Sequence, residues 1–229
     1  DSNIDIDGAF TISGGTFTST TGNFNLNGTF THTAGGTFNH NNGTVICDAT
    51  ASKTWDFATS ETFYNLTINT TGATFGLAIA SGDNLIVSNN LVLTNGVLTE
   101  SDAAAKLTAQ GNVTVASTWD GGSCDIEFGG TNAQNFDLTG ATALFTGDIK
   151  INKTSGTVTM LSGLTLSNKT LTITSGTLEF NGNTLSSNYI TQTGGSCQGM
   201  SGTISILINF TMTGGTFNTG TATVFDING

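Results

Sequence analysis

The 229-residue chain contains no arginine and no proline, only three cysteines, and charged side chains at just 9% of its positions. Without arginine, and with five lysines against sixteen acids, the net charge is −11, and the cationic clusters that neutralise phosphates are missing. Nucleic acid is therefore excluded as a partner class. No apolar run approaches the roughly 18 residues that would span a bilayer as a helix, so no membrane span is expected. The opening Asp1-Ser2-Asn3 is not a basic, then apolar, leader, and residue 1 reads as the start of a mature chain or of an excised fragment. Cys47, Cys124 and Cys197 form no CxxC pair and no metal-type spacing. Their odd number leaves at least one thiol unpaired. Cys124 and Cys197 each follow Gly-Gly-Ser, which suggests similar positions in successive repeats. The cysteines are expected to be small buried residues stacked inside a core, with one disulfide, within or between chains, as the alternative.

What is present points to strands. Thirty-one glycines, with abundant Thr, Asn and Ser, describe many tight turns and many β-branched strand positions. A polar, low-complexity chain of this kind can remain disordered. The 36% of hydrophobic residues, including fifteen Phe at regular intervals, instead argue for a core built in small instalments. A weakly charged acidic surface of hydroxyls and amides fits an extracellular setting.

The stretch Phe30 to Asp48, FTHTAGGTFNHNNGTVICD, returns as Phe210 to Asp226, FTMTGGTFNTGTATVFD. Both copies alternate apolar and small polar residues, break at Gly-Gly, restart with Thr-Phe-Asn and break again at a glycine. The pattern is strand, turn, strand, turn, strand, with no helical period. Phe30, Phe38 and Val45 are the expected inward residues, and Gly35-Gly36 and Gly43 the corners. Before this stretch, residues 1–29 form N-terminal coils, with Ile4, Ile6, Phe10, Ile12, Phe17, Phe24 and Leu26 pointing inward. After it, Thr50 to Phe57 loosens the pattern, and a longer loop or rung corner is expected there.

Three further matches recur at about 80 residues: Asn65–Asn69 with Asp148–Asn152, Leu91–Leu98 with Leu171–Leu178, and Trp55-Asp56-Phe57 with Phe136-Asp137-Leu138. Each such period holds several strand-length runs. The natural subdivision is about 20 to 25 residues, one coil of a three-faced solenoid whose strands pair in parallel with their equivalents one coil on. The expected fold is all-β, a parallel β-helix (β-solenoid) of roughly nine to eleven coils forming one domain over residues 1–229. At about 4.8 Å per coil it makes a rod on the order of 45 to 50 Å long. Thr-x-Thr triplets such as Thr31-His32-Thr33 and Thr211-Met212-Thr213 suit outward ladders, and Asn suits stacked corner ladders. Two antiparallel sandwiches split near residue 142 are the rival; the long-period self-similarity favours the solenoid.

Phrases such as TFYNLTIN, LVLTNGVLT and GGTFNHNNGTV resemble those of secreted bacterial Gly/Thr/Asn-rich β-solenoid repeat proteins of the cell-surface, adhesin type, over most of the chain from about Gly28 to Gly229. The resemblance implies a parallel β-helix in an extracellular scaffold or adhesive role. It transfers no residue-level site.

Chemistry-bearing constellations are few. A uronate lyase needs a cation to stabilise enolate-like charge, usually with an Arg or Lys base, and there is no arginine. A glycosidase needs two carboxylates across a groove. The densest acids are Asp120, Asp125 and Glu127, and Asp125 would share a strand face with Glu127; a solvated turn or an incidental cation contact is the plainer explanation. His32 and His40 are read as equivalent positions of neighbouring units, able to stack as a surface ladder or hold a metal with Cys47 or Asp48. Asp5 and Asp7 can hold Ca²⁺ or blunt an exposed edge strand. The Asn-x-Ser/Thr sequons at Asn27, Asn42, Asn65, Asn69, Asn112, Asn152, Asn168 and Asn209 permit glycosylation without indicating it. No catalytic residue, cofactor-binding residue or resident metal is assigned, and the chain is expected not to be an enzyme. The expected role is an extracellular structural scaffold, as a filament subunit joining end to end through its solenoid termini or as part of a large adhesin. A non-catalytic face for glycan or ice is the alternative.

Overall fold

The computed structural model describes residues 2–72, 76–101, 104–141 and 147–228. Among these there is no helix, and the strands pair in parallel, each with its equivalents in the coils before and after. The fold is a parallel β-solenoid of about 10 turns.

Each coil passes through three walls. The first runs through 84–87, 106–109, 126–128, 149–151, 171–173, 190–192 and 210–212. Gly15–Thr18 and Gly36–Asn39 take the same place in the chain's early coils. The second wall runs through 4–6, 24–26, 45–47, 66–68, 91–93 and 113–115, and later through 157–159, 177–179 and 196–198. The third includes 10–12, 30–32, 77–79 and 97–100, and later 164–166, 185–187 and 204–206. Paired residues lie about 19 to 25 positions apart, as in Leu178 with Cys197 and Leu66 with Leu91. Wall lengths are therefore nearly fixed, and the corners absorb the insertions.

The core follows from alternation, because every second residue of a strand faces the same side. Parallel register then stacks like on like. Phe24, Val45, Leu66, Leu91, Val113 and Phe136 form one column of the second wall, each at most 2% exposed. Leu85, Leu107, Ile126, Ile149, Leu171 and Ile190 form another in the first. Burying such a side chain contributes about 1.5–3 kcal/mol. Phe30, Phe38 and Val45 are buried as expected, as are Ile12, Phe24 and Leu26, while Ile4, Ile6, Phe10 and Phe17 pack half-buried against them.

The corners named from the sequence are also found. Gly35 has φ of 101°, a left-handed conformation that favours glycine. At Gly43 a Cβ would come within 2.1 Å of the Thr20 carbonyl oxygen of the preceding coil, so only glycine fits. The Gly43 N–H donates to the His40 carbonyl at 2.9 Å across Asn41 and Asn42, both with positive φ, which is the geometry of a type I′ turn.

Two expectations are corrected. Thr50 to Phe57 is not all loop: Lys53–Phe57 is a strand of the third wall, with Trp55 and Phe57 in the core. The segments matched at about 80 residues do not occupy equivalent places. Leu66 and Leu91 stand in the second wall, whereas Ile149 and Leu171 stand in the first. Trp55 is in the third and its counterpart Phe136 in the second. Likewise Phe30 is in the third wall and Phe210 in the first. The unit that stacks is the single coil.

Candidate functional site

In a chain this poor in charge, one patch of the first wall collects a large share of it. Register places Lys106 beside Asn84, Ile126 beside Ile149 and Glu127 beside Lys150, so alternation turns Lys106, Asp125, Glu127, Asp148 and Lys150 outward around a shallow depression of about 220 Å³. Glu127 and Lys150 form an ion pair at 3.0 Å, and the Asn152 amide donates to the other Glu127 oxygen at 3.1 Å. Burial pushes the Glu127 carboxyl up, but the Asn152 and Lys150 hydrogen bonds, with the Lys150 and Lys106 charges, bring it below its ordinary value.

Glu100 and Asp148 join Asp125 at the adjoining corner. The Asp125 N–H donates to Glu100 at 3.2 Å, the Asp148 N–H to Asp125 at 2.6 Å, and the Thr170 N–H to Asp148 at 2.9 Å. Each acid thus caps the backbone of the next coil. Burial raises the Asp125 carboxyl, the Asp148 charge adds to this, and Lys169 opposes it. Glu100 is raised in the same way, first by burial and then by the charges of Asp125 and Asp148.

Carboxyls two residues apart and shifted in opposite directions are a pattern that acid/base chemistry can use. Here both Glu127 oxygens and one Asp125 oxygen already have protein donors, so the arrangement serves first to hold coils together.

The structure brings together Asp125 and Glu127 of the acids singled out from the sequence, but not Asp120. That residue lies in the third wall, accepting the Gly96 N–H at 3.2 Å. Glu100 and Asp148 were missed, although one coil length separates each from Asp125 and would have marked them.

His32 and His40 are not stacked. His32 closes a third-wall strand and contacts Glu61, while His40 follows Gly36–Asn39 and stacks on Tyr64 with ring centroids 5.7 Å apart. Asp48 lies close enough to Asp5 and Asp7 for their charges to add to the burial that raises its pKa, and one of its oxygens is buried without a partner. Among the described residues no group of three or more His, Cys, Asp or Glu is placed to hold a metal ion.

The three cysteines are buried free thiols, and Cys124 and Cys197 do not occupy similar positions. Cys197 stands in a second-wall strand beside Leu178, and Cys124 lies in the segment between Trp119–Gly121 and Ile126–Phe128. Among the described residues no helix is long and apolar enough to cross a membrane.

Several sequon asparagines are already engaged. Asn65 accepts from Asn89 at 2.8 Å and from the Asn90 N–H at 3.2 Å, and donates to Thr44 at 3.3 Å. Asn112 donates to Asn90 at 3.3 Å and accepts the Asn135 N–H at 2.9 Å. This is the expected corner ladder of asparagines. In comparisons with protein families, curated proteins and solved structures, nothing matches this chain.

Proposed function

We propose that the chain is a structural scaffold outside the cell, as a subunit of a self-assembling surface filament or as a segment of a large adhesin. The observation that carries this reading is the apolar surface on the paired strands Ser201–Met212 and Thr221–Ile227. Among the described residues, the large hydrophobic side chains that are exposed all lie in these two strands except Leu161. Phe225 and Ile227 pair with Ile204 and Ile206, which are fully buried, yet are themselves 46% exposed. The core columns thus run on to an open strand edge, and a further coil laid there would bury the apolar residues and pair the free backbone groups. That coil comes from a second copy in a filament, or from further solenoid sequence in a longer chain. The low-charge surface of hydroxyls and amides supports the extracellular setting, and no cofactor or catalysis is needed.

Negative-stain microscopy with light scattering over a wide concentration range tests the filament form. End-to-end rods that shorten in Phe225→Asp are expected. Monodisperse monomers at every concentration would remove self-assembly and leave the adhesin segment.

The Thr ladders favour a second reading, a non-catalytic binding face. Thr172, Thr191 and Thr211 are in register on the first wall, and Thr157, Thr177, Ser196 and Thr216 on the second. Lys150 continues the first of these columns, which departs from the charge-free array that ice binding requires. Zero thermal hysteresis together with an empty glycan array would eliminate this reading.

A further inference from the structure

The solenoid interior is apolar, yet Lys153 lies inside it, only 1% exposed. Its ammonium nitrogen donates to the Gly129 carbonyl at 3.0 Å and contacts Oε1 of Gln134, a side chain that is itself 1% exposed. Gln134 in turn donates through Nε2 to the carbonyls of Ala109 at 2.9 Å and Gly111 at 2.7 Å. None of these partners is a carboxylate. Gly176 of the next coil makes room for the lysine stem, since a Cβ there would stand 2.6 Å from Lys153 Cβ. A charged ammonium in this place has neutral acceptors and, among the described residues, no counter-ion, which is an unfavourable arrangement. Desolvation accordingly lowers the Lys153 pKa and favours the free amine.

The Lys153 nitrogen is a nucleophile whenever it is unprotonated, and the group held against it is a carboxamide. We infer that Lys153 and Gln134 become joined by an amide cross-link between neighbouring coils. The Nζ–Cδ bond forms, the Cδ–Nε2 bond breaks, and a proton passes from Nζ to the departing nitrogen, which leaves as ammonia. The step consumes no oxidant or other co-reactant. Amides react slowly with free amines in water, and holding the two groups together in one buried site raises the rate. Gly129 orients the amine, while Ala109 and Gly111 hold the carboxamide. The product is a neutral amide, which needs no counter-ion in the interior.

The test is the mass of the purified full chain under denaturing conditions, followed by tryptic mapping. The expected result is a mass lower than the sequence requires by one ammonia, no cleavage after Lys153, and a branched fragment joining the Gln134 and Lys153 peptides. Lys153→Arg keeps the cation and its donors but lacks the amine, and its mass should equal that of its sequence. Succinimide formation at Asn-Gly also expels ammonia, so fragmentation must place the loss at Gln134. Recovery of separate peptides with a free Lys153 amine overturns the inference, and this readout does not depend on any variant folding.

Discussion

His32 Nδ1 lies 2.5 Å from Oε2 of Glu61, a carboxylate whose side chain is only 6% exposed. The other Glu61 oxygen accepts the Thr62 N–H at 2.9 Å, so His32 is the side-chain partner of a nearly dry carboxyl group. Burial raises the Glu61 pKa, and the Thr62 and His32 hydrogen bonds oppose the rise.

Removing one member of such a pair strands the other. His32→Ala is expected to cost about 3 kcal/mol in urea unfolding at neutral pH, and Glu61→Gln, which keeps a hydrogen-bonding group, clearly less. The pH sign follows from a folded pKa above the ordinary one. The relative stability Glu61 confers is full below its unfolded pKa and is lost as pH rises through the folded pKa. The His32→Ala deficit should therefore shrink in mild acid. An equal deficit at acid and neutral pH would mean that packing, not the carboxyl, sets the cost.

Asp125 and Glu127 should respond to pH in opposite senses. The raised Asp125 carboxyl makes the folded state relatively less stable above its folded pKa, so Asp125→Asn should hold or raise the Tm at neutral pH, with the difference vanishing in acid. Glu127 is lowered, so its contribution is present above its unfolded pKa and lost as pH falls through the folded one. Glu127→Gln should lower stability at neutral pH by up to about 1 kcal/mol, the scale of an exposed ion pair, and have no effect in strong acid. Tm profiles against pH for the two variants check this directly.

The cysteine prediction follows from burial. Desolvation pushes the Cys47 and Cys197 thiols up to about 12 and raises Cys124 as well. Since the thiolate is the reactive form, native protein should leave a thiol reagent unconsumed at mildly alkaline pH, and denatured protein should react at all three positions. Rapid reaction of the native chain would place a thiol at the surface.

The sequence showed the coil but not the wall. Phe30, Phe38 and Val45 were legible as core because alternation alone puts them inside, and Gly35 and Gly43 because their turns admit little else. Which wall a strand occupies was not legible. All three walls share one pattern, apolar inward and Thr, Ser or Asn outward, so Leu91 and Leu171 look equivalent although they stand in different walls. Corner lengths set the wall, and they vary from coil to coil. Two of the acids in the charged patch, Asp125 and Glu127, were legible from local density, whereas Glu100 and Asp148 arrive from adjacent coils. Lys153 was invisible because a lysine is read as a surface residue, and only the packed corner shows it inside.

The asparagine ladder predicts how damage spreads. Asn65 accepts two hydrogen bonds from the following coil and donates one to Thr44 of the preceding coil. Asn65→Ala removes all three and leaves the Asn90 N–H without this acceptor, at a cost of about 2 kcal/mol. Solenoid stability is close to a sum of nearest-neighbour terms, so the loss should stay near its source. Amide hydrogen exchange should quicken around 44–47, 65–69 and 90–93, the second-wall strands joined by the ladder. Protection around Leu171–Ile173 and Ile190–Gln192, several coils away, should be unchanged. Uniform loss of protection along the whole rod would show that the coils open as one cooperative unit, and would rule out the nearest-neighbour description.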